Sequence, residues 1–102
     1  AISKFNNIRI KSGMIISNEP GYYKEGKFGI RIENLLFVNN KNKKLKFENL
    51  TLAPIDKDLI DFKLLNKKEI DYLYNYHSFV YKKLCRYLDK NEKKWLNSYL
   101  TF

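Results

Sequence analysis

The first half of the chain has the hydrophobic pattern of short strands separated by turns. Residues 14–18 are mainly apolar, follow Gly13 and stop at Pro20-Gly21, which predicts a buried strand that ends in a turn. Two more runs rich in branched and aromatic residues predict further strands with polar turns between them. The strands are residues 28–38 and 47–55, and the turns are residues 24–27 and 39–44.

From Asn66 onward the apolar positions recur every three or four residues, as on one face of an amphipathic helix. Asn66 and Glu69 have the spacing of a capping box, so we expect a helix over roughly residues 67–88. The predicted apolar stripe consists of Ile70, Leu73, Tyr74, His77, Tyr81, Leu84, Cys85 and Leu88.

A second cap signal precedes the end of the chain. Asp89 and Glu92 repeat the capping-box spacing before a short last helix, which we expect Trp95 to anchor. Strands followed by helices, with no internal repeat, indicate an α+β fold. We assign residues 1–65 to strands and turns and residues 66–102 to C-terminal helices.

The composition limits the partners that we expect. The 102 residues carry a net charge of +9, which suggests a polyanionic partner. However, 17 of the 20 basic residues are Lys, whereas base readout and bidentate phosphate binding favour Arg, and no nucleic-acid motif accompanies the charge. The densest basic stretch, residues 41–46, is interpreted as a solvated turn, with a phosphate-contact loop as the alternative. We therefore do not expect a nucleic-acid partner.

Two further features bear on the cellular setting. No apolar run approaches the roughly 18 residues that span a bilayer, so we expect no membrane association. Cys85 is the single cysteine and cannot form an internal disulfide, so nothing indicates an oxidising compartment. We expect a cytoplasmic protein.

Two carboxylates stand in apolar surroundings where an unpaired acid is rare. Glu19 ends the first predicted strand, and Glu33 lies inside the second. If the two strands pair in antiparallel fashion, both carboxylates face one site, where they repel unless a proton or a cation intervenes. Bridging carboxylates suit a pair of oxygen-seeking divalent ions. The spacing leaves an ion pair between Arg31 and Glu33 as the alternative.

Two sequence blocks carry a resemblance to a known family. Residues 17–23 (SNEPGYY) and 29–34 (GIRIEN) resemble the C-terminal part of the catalytic domain of aminopeptidase P, the Xaa-Pro aminopeptidase of the pita-bread metallopeptidase superfamily. The resemblance covers about residues 2–100 and continues through residues 50–56 (LTLAPID), 59–61 (LID) and 74–77 (YNYH). It implies the C-terminal part of a pita-bread domain, in which antiparallel strands are followed by two C-terminal helices.

The resemblance also implies a mechanism. In that family two divalent ions, expected here to be Mn²⁺, are held by two Asp, one His and two Glu. Glu33 matches the glutamate that bridges both ions, and Glu19 matches the one that contacts one ion and accepts a proton from the attacking water. Arg31 matches an arginine that orients the ligand carboxylates. Tyr22 and Tyr23 border the substrate pocket in this interpretation, with packing under the turn as the alternative.

The family's remaining ligands lie N-terminal to the matched segment. We therefore expect residues 1–102 to be the C-terminal segment of a metallopeptidase catalytic domain, inactive without the remainder of that domain. We expect His77 to be a packed helix residue rather than a metal ligand. The implied substrates are peptides with proline at the second position, and family members often form homodimers. The alternative is a non-catalytic remnant or a small basic module that binds partners.

Overall fold

The structure is a computed structural model that describes residue 2 and residues 6–102. The chain divides into two compact units, Ala1–Thr51 and Leu52–Phe102. The first is a strand unit and the second a helical unit, so strands precede helices as the sequence predicts.

The strand unit consists of five antiparallel strands in two ladders. Three strands form one sheet in the order β1-β4-β5, and the other two form the β2-β3 hairpin. The strands are β1 (Ile15–Asn18), β2 (Gly21–Lys24), β3 (Phe28–Arg31), β4 (Asn34–Lys41) and β5 (Lys44–Asn49).

The β1-β4 and β2-β3 ladders are two parts of one continuous ribbon. The first ladder ends with Asn18 opposite Asn34, and the second begins with Gly21 opposite Arg31. Two residues separate the ladders on each strand, so the register passes through the gap with no inserted residue. This register places Glu19 opposite Glu33 and Pro20 opposite Ile32.

Pro20 explains why the ribbon is interrupted. The Ile32 N–H donates to the Pro20 carbonyl oxygen at 3.1 Å, but Pro20 has no N–H with which to return the bond. The predicted turn at Pro20-Gly21 is therefore wrong, because the chain continues in extended form and Gly21 opens β2. The predicted strand over residues 28–38 is interrupted at residues 32–33 for the same reason.

The hairpin turns are narrower than the sequence predicts. Gly26, with φ of 67°, lies in the connection between β2 and β3. Between β4 and β5 only Asn42 and Lys43 turn, with φ of 54° and 63°, as in a type I′ hairpin. The third strand therefore starts at Lys44 rather than at residue 47. It ends at Asn49, and the Thr51 hydroxyl accepts the Leu35 N–H at 2.8 Å beyond it.

The prediction that the first strand is buried is wrong. The Ile15 side chain is 62% exposed, and the neighbouring Ile16 is half-buried. A sheet buries a face only against another layer, and the described residues of the strand unit form no helix. Val38 is nevertheless fully buried.

The helical unit contains the two predicted helices and both predicted capping boxes. The Asn66 side chain accepts the Glu69 N–H at 3.0 Å, and the Glu69 carboxylate accepts the Asn66 N–H at 2.8 Å. Asp89 and Glu92 form the same pair of bonds, each at 2.8 Å. The helices are α1 (Lys67–Leu84) and α2 (Lys90–Leu100), with short 3₁₀ turns at Lys57–Leu59, Phe62–Leu64 and Cys85–Tyr87.

The core of the helical unit lies between α1 and α2. The buried residues Tyr76 and Val80 of α1 pack with Leu96 and Leu100 of α2. The predicted apolar stripe is therefore partly wrong, because it includes Tyr74, which is exposed, and omits Tyr76 and Val80. Trp95 does not anchor the last helix, since it is 63% exposed and Leu96 and Leu100 fill that role. None of the described helices is both long and apolar enough to cross a membrane.

His77 joins three segments of the helical unit. It is 3% exposed, and its Nε2 accepts the Ile55 N–H at 3.2 Å. Its Nδ1 lies 2.9 Å from the Leu100 carbonyl oxygen, to which it donates in the neutral tautomer that these partners require. The expectation of a packed helix histidine is confirmed.

Two more side chains fasten the segment that precedes α1. The Tyr76 hydroxyl donates to the Ala53 carbonyl at 2.7 Å. The Lys57 ammonium donates to the carbonyls of Ser98 and Thr101, at 2.9 and 2.7 Å, and so caps the C-terminal end of α2. Residues 53–57 are thereby held against both helices.

Replacing His77 with Ala should destabilise the helical unit. The change leaves the Ile55 N–H and the Leu100 carbonyl without their partner, at a cost of about 2–4 kcal/mol in unfolding free energy. Amide hydrogen exchange at Ile55 should accelerate, and the helical signal in circular dichroism should melt at lower temperature. The exposed Tyr74→Ala on the same helix is the control, and equal effects of the two changes would contradict this role.

Glu48 on β5 is held by two partners from β4. Its Oε1 accepts a hydrogen bond from Asn39 Nδ2 at 2.7 Å and lies 3.1 Å from Lys41 Nζ. The Asn39 bond, followed by the bond and charge of Lys41, lowers the pKa of Glu48 below its ordinary value of 4.5. Ionised Glu48 therefore stabilises the folded state at pH values above 4.5. This stabilisation is lost as the pH falls through the lowered pKa of the folded state.

The titration of Glu48 should therefore depend on both partners. We expect Asn39→Ala and Lys41→Ala each to raise the Glu48 midpoint, as followed by carboxyl chemical shifts in NMR. An unchanged midpoint in either variant would show that the partner removed does not control this carboxylate.

Candidate metal centre

Glu19 and Glu33 occupy a close cross-strand pair at the break in the ribbon. The bond from the Ile32 N–H to the Pro20 carbonyl shows that Pro20 and Ile32 form a hydrogen-bonded pair. The next pair along the ribbon, Glu19 and Glu33, is therefore of the non-hydrogen-bonded type. In such pairs the Cα atoms are about 4.5 Å apart and the side chains approach most closely. Like charges directly opposite each other repel. The site therefore requires a positive charge nearby.

The two carboxylates differ in their exposure. The Glu19 side chain is half-buried, whereas Glu33 is exposed. The sequence-based expectation that both lie in an apolar interior is therefore wrong for Glu33. Its apolar neighbour Ile32 points to the opposite face of the ribbon and does not cover it.

Arg31 supplies a positive charge to this face. Its Nη1 lies 3.5 Å from Glu19 Oε2, so Arg31 forms its ion pair with Glu19. The alternative drawn from the spacing, an ion pair between Arg31 and Glu33, is therefore wrong. The reason is the antiparallel register, which brings Glu19 to the strand next to Arg31. The charges of both glutamates favour the protonated guanidinium.

Tyr23 holds Arg31 in place. The Arg31 Nε donates to the Tyr23 hydroxyl at 2.8 Å, and the guanidinium carbon lies 5.9 Å from the centre of the Tyr23 ring. The hydrogen bond to the Tyr23 hydroxyl, followed by the charges of Glu19 and Glu33, raises the pKa of Arg31 above its ordinary value. The cation beside the carboxylates is thus fixed in position and always charged.

Two glycines make room for the Tyr23 ring. A Cβ at Gly29, directly opposite Tyr23, would lie 2.6 Å from the ring, and one at Gly21 would lie 2.7 Å from the Tyr23 hydroxyl. Because both positions lack a side chain, the ring lies along the ribbon and its hydroxyl reaches Arg31. Neither these glycines nor this bond is predicted from the sequence. The sequence feature that could have identified them is the spacing of two residues, which places Gly21 and Tyr23 on the same face of the strand as Glu19.

Tyr22 lies on the opposite face from Tyr23. Its ring is 5.9 Å from that of Phe28, and both tyrosines are exposed. The alternative that they pack under the turn is therefore wrong, since the chain does not turn there. The structure brings together Glu19, Tyr23, Arg31 and Glu33 but not Tyr22.

The carboxylates of Glu19 and Glu33 supply some of the oxygen ligands that a hard divalent cation needs. Carboxylate oxygens are the ligands that Mg²⁺, Mn²⁺ and Ca²⁺ prefer. Within the described part of the chain, no group of three or more His, Cys, Asp or Glu side chains is placed to hold a metal. Glu19 and Glu33 could therefore form only part of a ligand set.

Family comparisons define the class of protein. Residues 43–100 match the family described as the C-terminal region of peptidase M24, and residues 1–40 match metallopeptidase family M24. The chain belongs to metallopeptidase family M24.

Individual relatives narrow the resemblance to aminopeptidase P. The chain is 46% identical to the probable Xaa-Pro aminopeptidase P of Laccaria bicolor, over 89% of this chain and 16% of the relative. It is 41% identical to an uncharacterized peptidase of Schizosaccharomyces pombe, over 93% of this chain and 17% of the relative. The chain thus spans about a sixth of the length of the curated relatives that it matches.

A solved structure extends the similarity to the fold. It is an X-prolyl aminopeptidase from Caenorhabditis elegans, described as a cytosolic enzyme with a di-nuclear active site. The match has a TM-score of 0.78 at 31% identity and covers 97% of this chain and 18% of that one. The predicted α+β fold, the C-terminal part of a pita-bread domain, is confirmed, and so is the predicted resemblance to aminopeptidase P.

The contact between Tyr23 and Arg31 should depend on the glycine opposite. Gly29→Ala displaces the Tyr23 ring, and Tyr23→Phe removes the hydroxyl while keeping the ring. Both should free the Arg31 Nε–H, so its exchange with water in ¹⁵N NMR should accelerate about tenfold, as for a lost hydrogen bond of about 1.4 kcal/mol. Tyr22→Phe, on the other face, is the control. Unchanged exchange in Tyr23→Phe would show that the bond does not hold Arg31.

Proposed function

We propose that Glu19 and Glu33 are two of the ligands of a dinuclear metal centre in an aminopeptidase that cleaves the bond between an N-terminal residue and proline. The observation that carries this proposal is the close cross-strand pairing of two carboxylates with Arg31 beside them. Such a pair is costly for folding by itself and becomes favourable when a cation lies between its members.

The two glutamates have different roles in this proposal. Glu33, the more exposed carboxylate, would be the ligand shared by the ions. Glu19, half-buried and paired with Arg31, would hold one ion and would accept a proton from water. Bound divalent ions would supply Lewis acidity toward water and the scissile carbonyl.

Arg31 and Tyr23 position the Glu19 carboxylate, the proton acceptor of this proposal. Arg31 contacts Oε2 of Glu19, so its contact leaves Oε1 to a ligand. Tyr23 in turn restricts the rotation of Arg31 through its hydroxyl. Groups that orient ligand carboxylates in this way fix the direction of their lone pairs. The Tyr23 ring, on the face of the glutamates, also borders the space where substrate binds, whereas Tyr22 does not share that face.

The proposal includes partners beyond these residues. Two Asp and one His from the remainder of the catalytic domain complete the ligand set, the ions are Mn²⁺, and the substrates are peptides with proline at the second position. Residues 1–65 contribute the site and residues 66–102 the C-terminal helices. A cytosolic location is supported by the description of the nematode relative. Self-association, common in the family, is expected and is tested by the size of the protein in solution.

The glutamates should be essential in the product of the whole reading frame. Glu33→Gln should lower kcat/KM for an Xaa-Pro peptide by about 10³-fold, or about 4 kcal/mol in transition-state stabilisation, and should lower the bound Mn²⁺ measured by elemental analysis. Glu19→Gln should lower kcat with less loss of metal. The 102-residue chain by itself should hydrolyse nothing with added Mn²⁺, because three ligands are missing.

The matched control is Glu25→Gln. Glu25 is an exposed glutamate in the β2-β3 connection, so its change should leave activity and metal content unaltered. Retention of both properties in Glu33→Gln would refute the assignment of Glu33. Xaa-Pro cleavage by the isolated chain would refute the need for further ligands.

A further inference from the structure

The end of α1, the start of α2 and the turn between them concentrate the positive charge of the helical unit. Residues 82–95 contain six basic side chains and two acidic ones, a net charge of +4. All six cations are exposed; they are Lys82, Lys83, Arg86, Lys90, Lys93 and Lys94. The two acids, Asp89 and Glu92, each bind a backbone N–H of the α2 cap.

Exposed aromatic rings accompany these cations. The Lys83 ammonium lies 5.6 Å from the centre of the Phe79 ring. The Arg86 guanidinium lies 4.7 Å from the Tyr87 ring and donates to the Tyr87 hydroxyl at 2.6 Å. Tyr87 is 70% exposed, so its ring is available to another flat group.

A stacked pair of rings continues this surface along α2. Trp95 and Tyr99 are one helical turn apart, with ring centres 5.3 Å apart and planes inclined by 18°. Lys90 and Lys94 are also one turn apart, and Lys94 directly precedes Trp95, about 100° away around the helix. Because Leu96 and Leu100 occupy the core, the indole points outward.

We propose that this surface, residues 79–99, binds single-stranded nucleic acid without sequence preference. Proteins that bind single strands combine cations that follow the phosphates with aromatic faces on which bases stack. The dominance of Lys, which weakens the case for base readout, does not oppose this mode, since phosphate neutralisation is carried by Lys as well as Arg. The inference goes beyond the peptidase function and rests on other residues.

Two other partners fit the surface less well. Insertion into an anionic membrane would require a continuous apolar helix face, and the face of α2 that carries Leu96 and Leu100 is buried. A basic segment without aromatic residues would contact only the phosphates, so it would bind duplex and single strand alike. The other lysine-rich segment, residues 41–46, is of that kind, because it contains no aromatic residue.

The test is fluorescence anisotropy with a labelled 20-nucleotide oligouridylate and the product of the whole reading frame. We expect binding that weakens with salt. Lys90→Glu/Lys94→Glu should raise Kd about tenfold or more and make the salt slope shallower by about 1.4, as for two lost phosphate contacts. These changes should not impair folding, because Glu suits the N-terminal half of α2.

The control variant is Lys44→Glu/Lys46→Glu on β5, which changes the net charge equally at exposed positions. An equal loss of affinity in the two variants would overturn the proposal, because net charge alone would then account for binding. Absence of binding at low salt would overturn it as well.

A third variant tests the aromatic part. Trp95→Ala should raise Kd for oligouridylate about tenfold, consistent with a lost base stack, with little change in salt slope. A duplex of equal length should bind more weakly than the single strand. Unchanged affinity in Trp95→Ala, equal affinity for duplex, or a preference for phosphatidylserine vesicles over oligouridylate would each refute binding of single strands by this surface.

Discussion

The register of one β-ribbon determines the arrangement on which the candidate site depends. β1 pairs with β4 and β2 pairs with β3 in one continuous register. This register passes through Pro20, although one hydrogen bond of the ladder is absent there. Because no residue is inserted, Glu19 stays opposite Glu33. A slip of one residue would send one of the carboxylates to the other face of the ribbon. The chemistry therefore rests on a backbone pairing that is interrupted but not shifted.

The other residues of this face follow from the same register. Arg31 lies beside Glu19 because the strands run antiparallel, and Tyr23 reaches Arg31 because Gly21 and Gly29 leave its ring unobstructed. Each contact limits the freedom of the next, from ring to guanidinium to carboxylate. The candidate site is thus ordered by protein contacts on the side of Arg31 and Tyr23.

The helical unit is organised by a different kind of constraint. Its core is small, and His77, Tyr76 and Lys57 add hydrogen bonds that fasten the segment before α1 to both helices. With the aliphatic residues of α2 used inside, rings such as Trp95 remain at the surface among lysines. The distribution of charge therefore matters more than its total, since the lysines have different neighbours in the two units.

The sequence by itself predicted the order of strands and helices, both capping boxes, the packed His77, the aminopeptidase P resemblance and the two glutamates as candidate ligands. These depend on local spacing or on motifs, which a linear pattern retains. Only the tertiary structure decided which residues face each other: the Arg31–Glu19 pair in place of Arg31–Glu33, the separation of Tyr22 from Tyr23, and the exposure of Ile15 and Trp95. Cross-strand partners and burial depend on register and on packing between elements, and neither is set by the residues of one element alone.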